Sequence, residues 1–463
     1  MTESEAARLD ATLAGVLPDG ALYAVGGRVR DEVRSAFEGR EYPLKDLDYV
    51  AVGIDLNDLI DRLRPIGRSE LVGARFAVVK CTIDGVTVDV ALPRRERSTG
   101  VGHRDFEVVD FGPEVSLEDD LARRDFRMNM LARALPQGTL VDPYAGEADI
   151  QARRIDLLRE EAFVEDPLRM LRACQFAARF EYAITDRTMA AMREAAPLVS
   201  TVSPERLRDE LIKLLSAQRP SVGFEALRAG GVLSVLLPEL LAGFGVDQNE
   251  WHAHDVYYHT LATVDAAPPD DLTLRLAALL HDVAKPQTKD GPHFYRHEIV
   301  GEDVARDLLM RLRFPHEQIA TVARLVRGHM YVADPDFSDK TVRRFVQRVG
   351  VENLERLFAL RSADIAGSGL PKRDDHNERF QAKVFEIINQ QPPLSVRDLA
   401  IDGAEVRDRL VAAGQLPASA RGGPAVGEVL QALLERVLDE PAMNEPAALR
   451  AEAERVIAER GAR

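Results

Sequence analysis

The chain has 463 residues, long enough for two or more cores, and its 46% apolar and 29% charged residues are the balance of an ordinary globular protein. A formal net charge of −16 excludes a wholesale basic surface for nucleic acid, so any RNA site must be a local patch. Two cysteines, Cys81 and Cys174, exclude a disulfide framework, and no apolar run approaches the roughly 20 residues of a membrane span. The acidic start, Met-Thr-Glu-Ser-Glu, lacks the apolar stretch of a secretory leader. The expectation is a cytoplasmic protein, monomer or homodimer, with no membrane partner.

Residues 1–20 read as a short helix and a loop. A strand over Leu22–Val25 then ends in Gly26-Gly27, where the lack of a Cβ lets the backbone approach a phosphate. Arg28-Val29-Arg30-Asp31 opens a helix whose free N–H groups and positive dipole end favour an anion. A second strand is expected to carry Asp46 and Asp48 on one face, with Leu47 turned to the core. Two carboxylates on one face repel unless a hard cation lies between them, and Mg²⁺ with a substrate phosphate suits that place. In this order and spacing the stretch resembles the signature of the DNA polymerase β-like nucleotidyltransferases, specifically the class II bacterial tRNA nucleotidyltransferases and poly(A) polymerases. Gly26, Gly27, Arg30 and Asp31 match the nucleotide-binding part of that signature; Asp46 and Asp48 match its catalytic metal-binding pair.

Asp55–Leu63 has helical spacing, and Asp84-Gly85 between Phe76–Ile83 and Val86–Leu92 predicts a hairpin. Asp89 on that hairpin is a candidate third carboxylate for the metal. Residues 93–106, with four arginines and two glycines, read as a loop over a nucleotide triphosphate. Leu121–Met130 resembles the family motif Arg-Arg-Asp-Phe-Thr-x-Asn-Ala, with Arg127 in place of Thr and Met130 in place of Ala. The resemblance implies that Arg124 binds triphosphate and that Asp125 and Asn129 shape the sugar site. Asp142-Pro143-Tyr144-Ala145-Gly146 matches the turn that follows in the family.

From Ile150 onward helical patterns dominate, with boundaries expected near 145–150, 243–250 and 367–373. Glu165–Phe180 reads as a helix with Asp166, Arg169 and Arg172 at intervals of three, close to one line on one face. It resembles the family's Glu-Asp-x-x-Arg helix. There an Asp and an Arg serve as a protein template for the Watson–Crick edge of CTP or ATP, mixing acceptor and donor as that edge requires. The resemblance gives Asp166 and Arg169 these roles, puts Arg172 near the phosphates, and places Gln175 where a third arginine is common. Pro204–Leu211 completes the neck, and residues 151–215 hold 11 basic and 11 acidic residues, less acidic than the chain as a whole.

Six of the ten histidines lie between 252 and 297. His281-Asp282 ends an apolar helix, with His259 upstream and His297 and His329 downstream; imidazole with carboxylate suits first-row transition metals that activate water. The pattern resembles the HD domain of metal-dependent phosphohydrolases. His259, His281, Asp282 and the distal Asp364 map onto its core ligands, His297 and His329 onto a second metal position, and Lys285 onto a lysine facing the substrate phosphate. Residues 394–444 resemble the helical tail that grips the tRNA elbow.

The expected architecture is therefore multidomain: an α/β nucleotidyltransferase head (1–147), an all-α neck (148–245), an HD body (246–370) and a helical tail (371–463). The expected activity is addition of CMP, AMP or both to the tRNA 3′ end from CTP and ATP. Mg²⁺ is expected in the head, and Mn, Co or Ni at the HD site, which would hydrolyse 2′,3′-cyclic phosphates. The alternatives are a poly(A) polymerase and an HD phosphodiesterase with an inactive head.

Overall fold

The computed structural model describes residues 2–43, 47–72, 77–98, 106–248, 251–371 and 374–461. The first helix, Glu3–Ala14, starts from a capping box: the Thr2 hydroxyl accepts from the Glu5 N–H while the Thr2 N–H donates to the Glu5 carboxylate. Strands β1 (Leu22–Val25), β2 (Asp48–Ala51), β3 (Arg68–Val72), β4 (Val78–Ile83) and β5 (Val86–Ala91) follow. After them come β6 (Arg94–Ser98), β7 (Phe106–Phe111), β8 (Ala132–Ala134) and β9 (Leu140–Val141). Seven of these form one sheet in the order β3-β4-β5-β2-β1-β8-β9, parallel only between β2 and β5. At the β4–β5 turn Asp84 and Gly85 have φ of 49° and 84°, the left-handed pair that a two-residue hairpin turn requires.

Alternation along the strands covers both faces of the sheet. Leu22, Ala24, Tyr49, Ala51, Val79, Cys81, Val88 and Val90 enter the main core. Val25 and Val50 point to the other face, where Leu117 and Leu121 of the helix Leu117–Ala122 meet them with Met130 and Ala132. Asp48 shares the parity of Val50, so it belongs to this second face, at the exposed end of β2.

Residues 93–106 depart from the expected loop. β6 and β7 pair as an antiparallel hairpin of their own, because the flanks of the stretch are extended enough to satisfy each other's backbone groups. Only its tip, 99–105, lies outside the described residues.

Among the described residues from Gly146 on, helices are joined by two short strand pairings. Arg154–Ile155 runs parallel to Ala183–Ile184, and Lys289–Asp290 forms a hairpin with His293–Phe294. These are the strands that an all-α reading of neck and body leaves out; at two residues each they are too short to carry a strand periodicity. One apolar core extends from Ala6 to Ile387 without a break at 145–150 or 243–250, so the head, neck and body are packed together rather than strung on linkers. Nor does it break at 367–373: Phe380, Val384 and Ile387 of the expected tail belong to it, and a separate core runs from Leu399 to Ile457, with Leu394 touching both. Polar contacts join the two: Arg343 donates to the Leu438 and Asp439 carbonyls, while Lys340 and Arg344 pair with Asp439. Among the described residues no helix is long and apolar enough to cross a membrane.

Candidate functional site

A cleft of about 340 Å³ lies where the head meets the helix Leu168–Phe180, lined by Gly26, Gly27, Arg30, Asp48, Arg124 and Asp125, and by Asn129, Asp166, Arg169 and Arg172. Gly26 has φ of 77°, which strains other residues, and a Cβ there would press on Asp48 Oδ2 at 3.2 Å. The helix that follows, Gly27–Glu38, has no side-chain cap, which leaves its first N–H groups for a ligand. Arg124 donates to Asp120 through Nη2 at 3.2 Å, while its Nε is buried with no partner, a donor that an anion in the cleft would satisfy. Asp46 lies outside the described residues, so of the expected metal pair only Asp48 is placed. Asp89 is the β5 partner of Asp48 in register, but its carboxylate is engaged by Lys80 Nζ at 2.9 and 3.2 Å.

Asp125 is the hub of the cleft. It accepts from Asn129 Nδ2 at 2.7 Å and from Arg172 Nε and Nη2 at 2.8 and 2.6 Å. Burial would raise its carboxyl; the Arg172 guanidinium and the Asn129 amide outweigh that and hold the pKa at about 2. Asn129 Oδ1 in turn accepts from Arg30, whose other nitrogens hold Asp31. Arg30 is 5% exposed and lies over the Phe176 and Phe180 rings. Asp31 thus supports Arg30 and does not line this cleft.

Asp166 precedes the helix Leu168–Phe180 in an extended conformation, and its Oδ1 accepts from Leu168 N–H. Its Oδ2 accepts from Arg206 at 2.9 Å. Arg169 is nine-tenths buried and donates to the Arg123 carbonyl at 2.6 Å, which turns its guanidinium along the cleft wall. The Arg127 and Met130 departures are structural. Arg127 clamps Asp149 with two bonds of 2.8 Å and reaches Asp156, and Met130 fills the second face of the sheet. The Asp142 carboxylate accepts from the Gly146 and Glu147 N–H groups, and a Cβ on Gly146 would collide with the Arg127 carbonyl.

A second centre lies in the body. His259, His281, His297, His329 and Asp364 come from five helices and surround Asp282. His259 Nε2 is 3.2 Å from His281 Nε2, 3.4 Å from Asp282 Oδ2 and 3.1 Å from Asp364 Oδ1. On the other side His297 Nε2 is 3.2 Å from His329 Nε2, and both face Asp282 Oδ1 at 3.4 and 3.7 Å. The Nδ1 atoms of His281, His297 and His329 each lie 2.7–2.8 Å from a backbone carbonyl. A carbonyl only accepts, so Nδ1 carries the proton and the Nε2 lone pairs point at one another. Oδ1 of buried Asp282 takes no hydrogen bond. Burial would lower His259, yet the Asp282 and Asp364 carboxylates lift its pKa to about 9, so the spot calls for positive charge. Converging lone pairs, a buried carboxylate with one oxygen toward each histidine pair and this demand for charge fit two cations, one on each side of Asp282. Lys285 Nζ sits 2.7 Å from Asp282 Oδ2 at the wall of a cavity of about 530 Å³.

Two residues were missed. Arg206 lies inside the recognised neck helix, but nothing in its spacing singles it out as the partner of Asp166. His252 meets His259 edge-on at 4.6 Å and groups with His259 and Asp364 as a possible ligand set; the histidine-rich window was the available signal.

Family models match in chain order: "Poly A polymerase head domain" over residues 22–156, "Probable RNA and SrmB- binding site of polymerase A" over 181–244, and "HD domain" over 252–366. Among solved structures, a Bacillus stearothermophilus CCA-adding enzyme in complex with CTP is 22% identical over 100% of both chains, with a TM-score of 0.69. A Thermotoga maritima CCA-adding enzyme complexed with tRNA is 18% identical over 98% of this chain and 96% of that one, at a TM-score of 0.54. A CCA-adding enzyme with ATP is 19% identical, covering 97% and 95%, with a TM-score of 0.58. At these identities the likeness is one of fold, and it spans head, neck, body and tail.

Proposed function

This chain belongs to the poly(A) polymerase and tRNA nucleotidyltransferase family and carries an HD domain, and from that premise we infer that it extends tRNA 3′ ends with CMP, AMP or both. The observation that carries the reading is one cleft holding Asp48 and the glycine turn from the head together with Asp166 and Arg169 from the neck. In the reaction the RNA 3′-hydroxyl oxygen bonds to the α-phosphorus of CTP or ATP, the bond to the β-phosphate bridge breaks, and pyrophosphate leaves. Gly26, Gly27 and the helix N-terminus they open would bind the triphosphate with Arg124. Asp125 and Asn129, locked by Arg30 and Arg172, would orient the sugar. Asp166 and Arg169 would present acceptor and donors to the base edge. Asp48, with Asp46, would hold Mg²⁺, which when bound neutralises the triphosphate and lowers the pKa of the attacking hydroxyl. The working division is head 1–147, neck 148–245, body 246–370 and tail 371–463.

The body reads as a phosphohydrolase acting on 2′,3′-cyclic phosphate. His259, His281, Asp282 and Asp364 would hold one transition metal, and Asp282, His297 and His329 a second, with Mn, Co or Ni as candidates. Such ions supply an activated water and polarise the phosphoester. The substrate is chosen on chemical grounds: an end blocked in this way has no free hydroxyl for the head to use.

The test is incorporation of labelled CTP or ATP into tRNAs lacking the whole CCA end, its last two nucleotides or only the final A. Asp48→Ala and Asp46→Ala should each abolish incorporation with the fold intact, and full activity in either rules out the metal site. The three acceptors separate CCA, CC and A addition. Efficient extension of oligo(A) would favour the poly(A) polymerase reading, and an inert head with an active body would favour the phosphodiesterase reading.

A further inference from the structure

The cavity beside the histidine centre, about 530 Å³, is larger than a phosphate needs and lies in the roughly 300–1,000 Å³ range of small-molecule pockets. Part of its lining is cationic. Lys285 Nζ stands 2.7 Å from Asp282 Oδ2, and Arg361 Nη1 donates to Asp364 Oδ2 at 3.3 Å, so both suit a phosphoester held at the metals. Much of the rest carries no charge. Trp251 is 49% exposed, Tyr295 is 63% exposed, and Met330 and Leu370 add apolar surface. Asn377 joins this wall from the helix His376–Asn389, in the segment the sequence assigns to the tail. Its Oδ1 accepts from the Tyr331 hydroxyl at 2.6 Å, and the Tyr331 ring is set among those of Phe345, Phe358 and Phe380. Asn377 is 5% exposed, and its Nδ2 is buried with no hydrogen-bond partner among the described residues. A buried donor left unpaired is destabilising, and in the wall of a hollow a ligand is the partner that satisfies it.

Neither the indole nor the amide is what a phosphate calls for. An exposed indole offers a flat apolar face, and an amide nitrogen is a neutral donor. Together they suit the face and the edge of a nucleobase, since every base has a π-face and carries ring-nitrogen or carbonyl acceptors. We propose that this part of the cavity seats the base of a nucleotide substrate, stacked on Trp251, with Tyr295 completing the apolar wall and Asn377 Nδ2 donating to an acceptor on the base edge. Tyr331 is then a positioning residue: by holding Oδ1 it turns the amide so that nitrogen meets the base. The inference rests on the phosphohydrolase reading of the body and adds what that site holds besides the phosphoester.

The full chain is assayed with Mn²⁺, Co²⁺ or Ni²⁺ on 2′,3′-cyclic AMP and on methyl riboside 2′,3′-cyclic phosphate, which lacks the base. Wild type should favour the nucleotide about tenfold or more in kcat/KM, as one base–aromatic stack provides. Asn377→Leu and Trp251→Ala should each cut that preference about tenfold, through a raised KM for cyclic AMP. Tyr331→Phe keeps the ring packing and should give part of the Asn377→Leu effect. Trp251 is the only tryptophan of the chain, so its emission reads this cavity and not the cleft of the head. Binding of 3′-AMP should quench it and inorganic phosphate should not, with affinity about tenfold weaker in Asn377→Leu. Trp251 is half-exposed, so its variant remains informative should Asn377→Leu disturb packing. Equal kcat/KM on the two substrates, an unmoved preference in active variants, or equal quenching by inorganic phosphate overturns the base seat alone. A wild type that hydrolyses neither substrate overturns the phosphohydrolase reading, and the emission titration then decides the base seat by itself.

Discussion

Asp125 ties Asn129 and Arg172 together in the wall of the cleft. Its carboxyl sits at about 2 in the fold against an ordinary value of 3.8, so the folded state binds this proton more weakly than the unfolded chain does. Its stabilisation, about 2 kcal/mol from the shift, is complete above about pH 4 and is lost as pH falls toward 2. Urea unfolding of wild type and Asp125→Asn should give a stability gap at pH 7 that narrows below pH 4; a constant gap would contradict the assignment. The Arg127 departure makes its own prediction. Arg127→Thr, which restores the residue the family motif carries, removes a clamp from fully buried Asp149 and should destabilise by about 1–3 kcal/mol. At this scale the sequence was readable wherever chemistry repeats at fixed spacing, as at Gly26-Gly27 and Asp166–Arg169. Asp31 and Arg127 were harder, because what they hold (Arg30 for one, Asp149 for the other) is a matter of folded proximity.

Between elements, the helices Leu168–Phe180 and Pro204–Leu215 work as a pair. Arg206 of the second pins Asp166 at the start of the first, leaving its other oxygen on the Leu168 N–H. Asp166→Ala should cost discrimination among nucleotides more than it costs metal binding. Arg206→Ala should do the same more mildly, about tenfold or less, because the carboxylate remains but is free to turn. Comparing incorporation of CTP, ATP, UTP and GTP by both variants decides this, and unaltered base preference in Asp166→Ala would end the template reading. Elements with local signals were foreseen: the Asp84-Gly85 turn and the helix after Asp55. The β6–β7 hairpin was not, since a stretch rich in Arg and Gly looks like a loop until its flanks pair across it.

For the whole molecule, head and body should act independently. His281→Ala or Asp282→Ala should remove metal-dependent hydrolysis of 2′,3′-cyclic phosphate and spare nucleotide addition, and Asp48→Ala should do the reverse. Asp282→Ala should cost metal at both positions, because its two oxygens face separate histidine pairs; metal content by elemental analysis reads this directly. A wild type inactive with Mn²⁺, Co²⁺ and Ni²⁺ would leave the site a structural one. The order of head, neck and body was legible because each carries a motif. Their shared core was not, because motif spacing does not report contacts made across separate segments. The last part of the tail, Leu399 to Ile457, in contrast keeps a core to itself and meets the body through Arg343, Lys340 and Arg344. An apolar seam would tighten on warming and ignore salt, whereas this one is largely ionic and half-exposed. That last part, 399–457, is therefore tethered like a boom on a few short stays: molar salt should slacken it and lower a first, separate step in calorimetric melting, while the main transition holds its place.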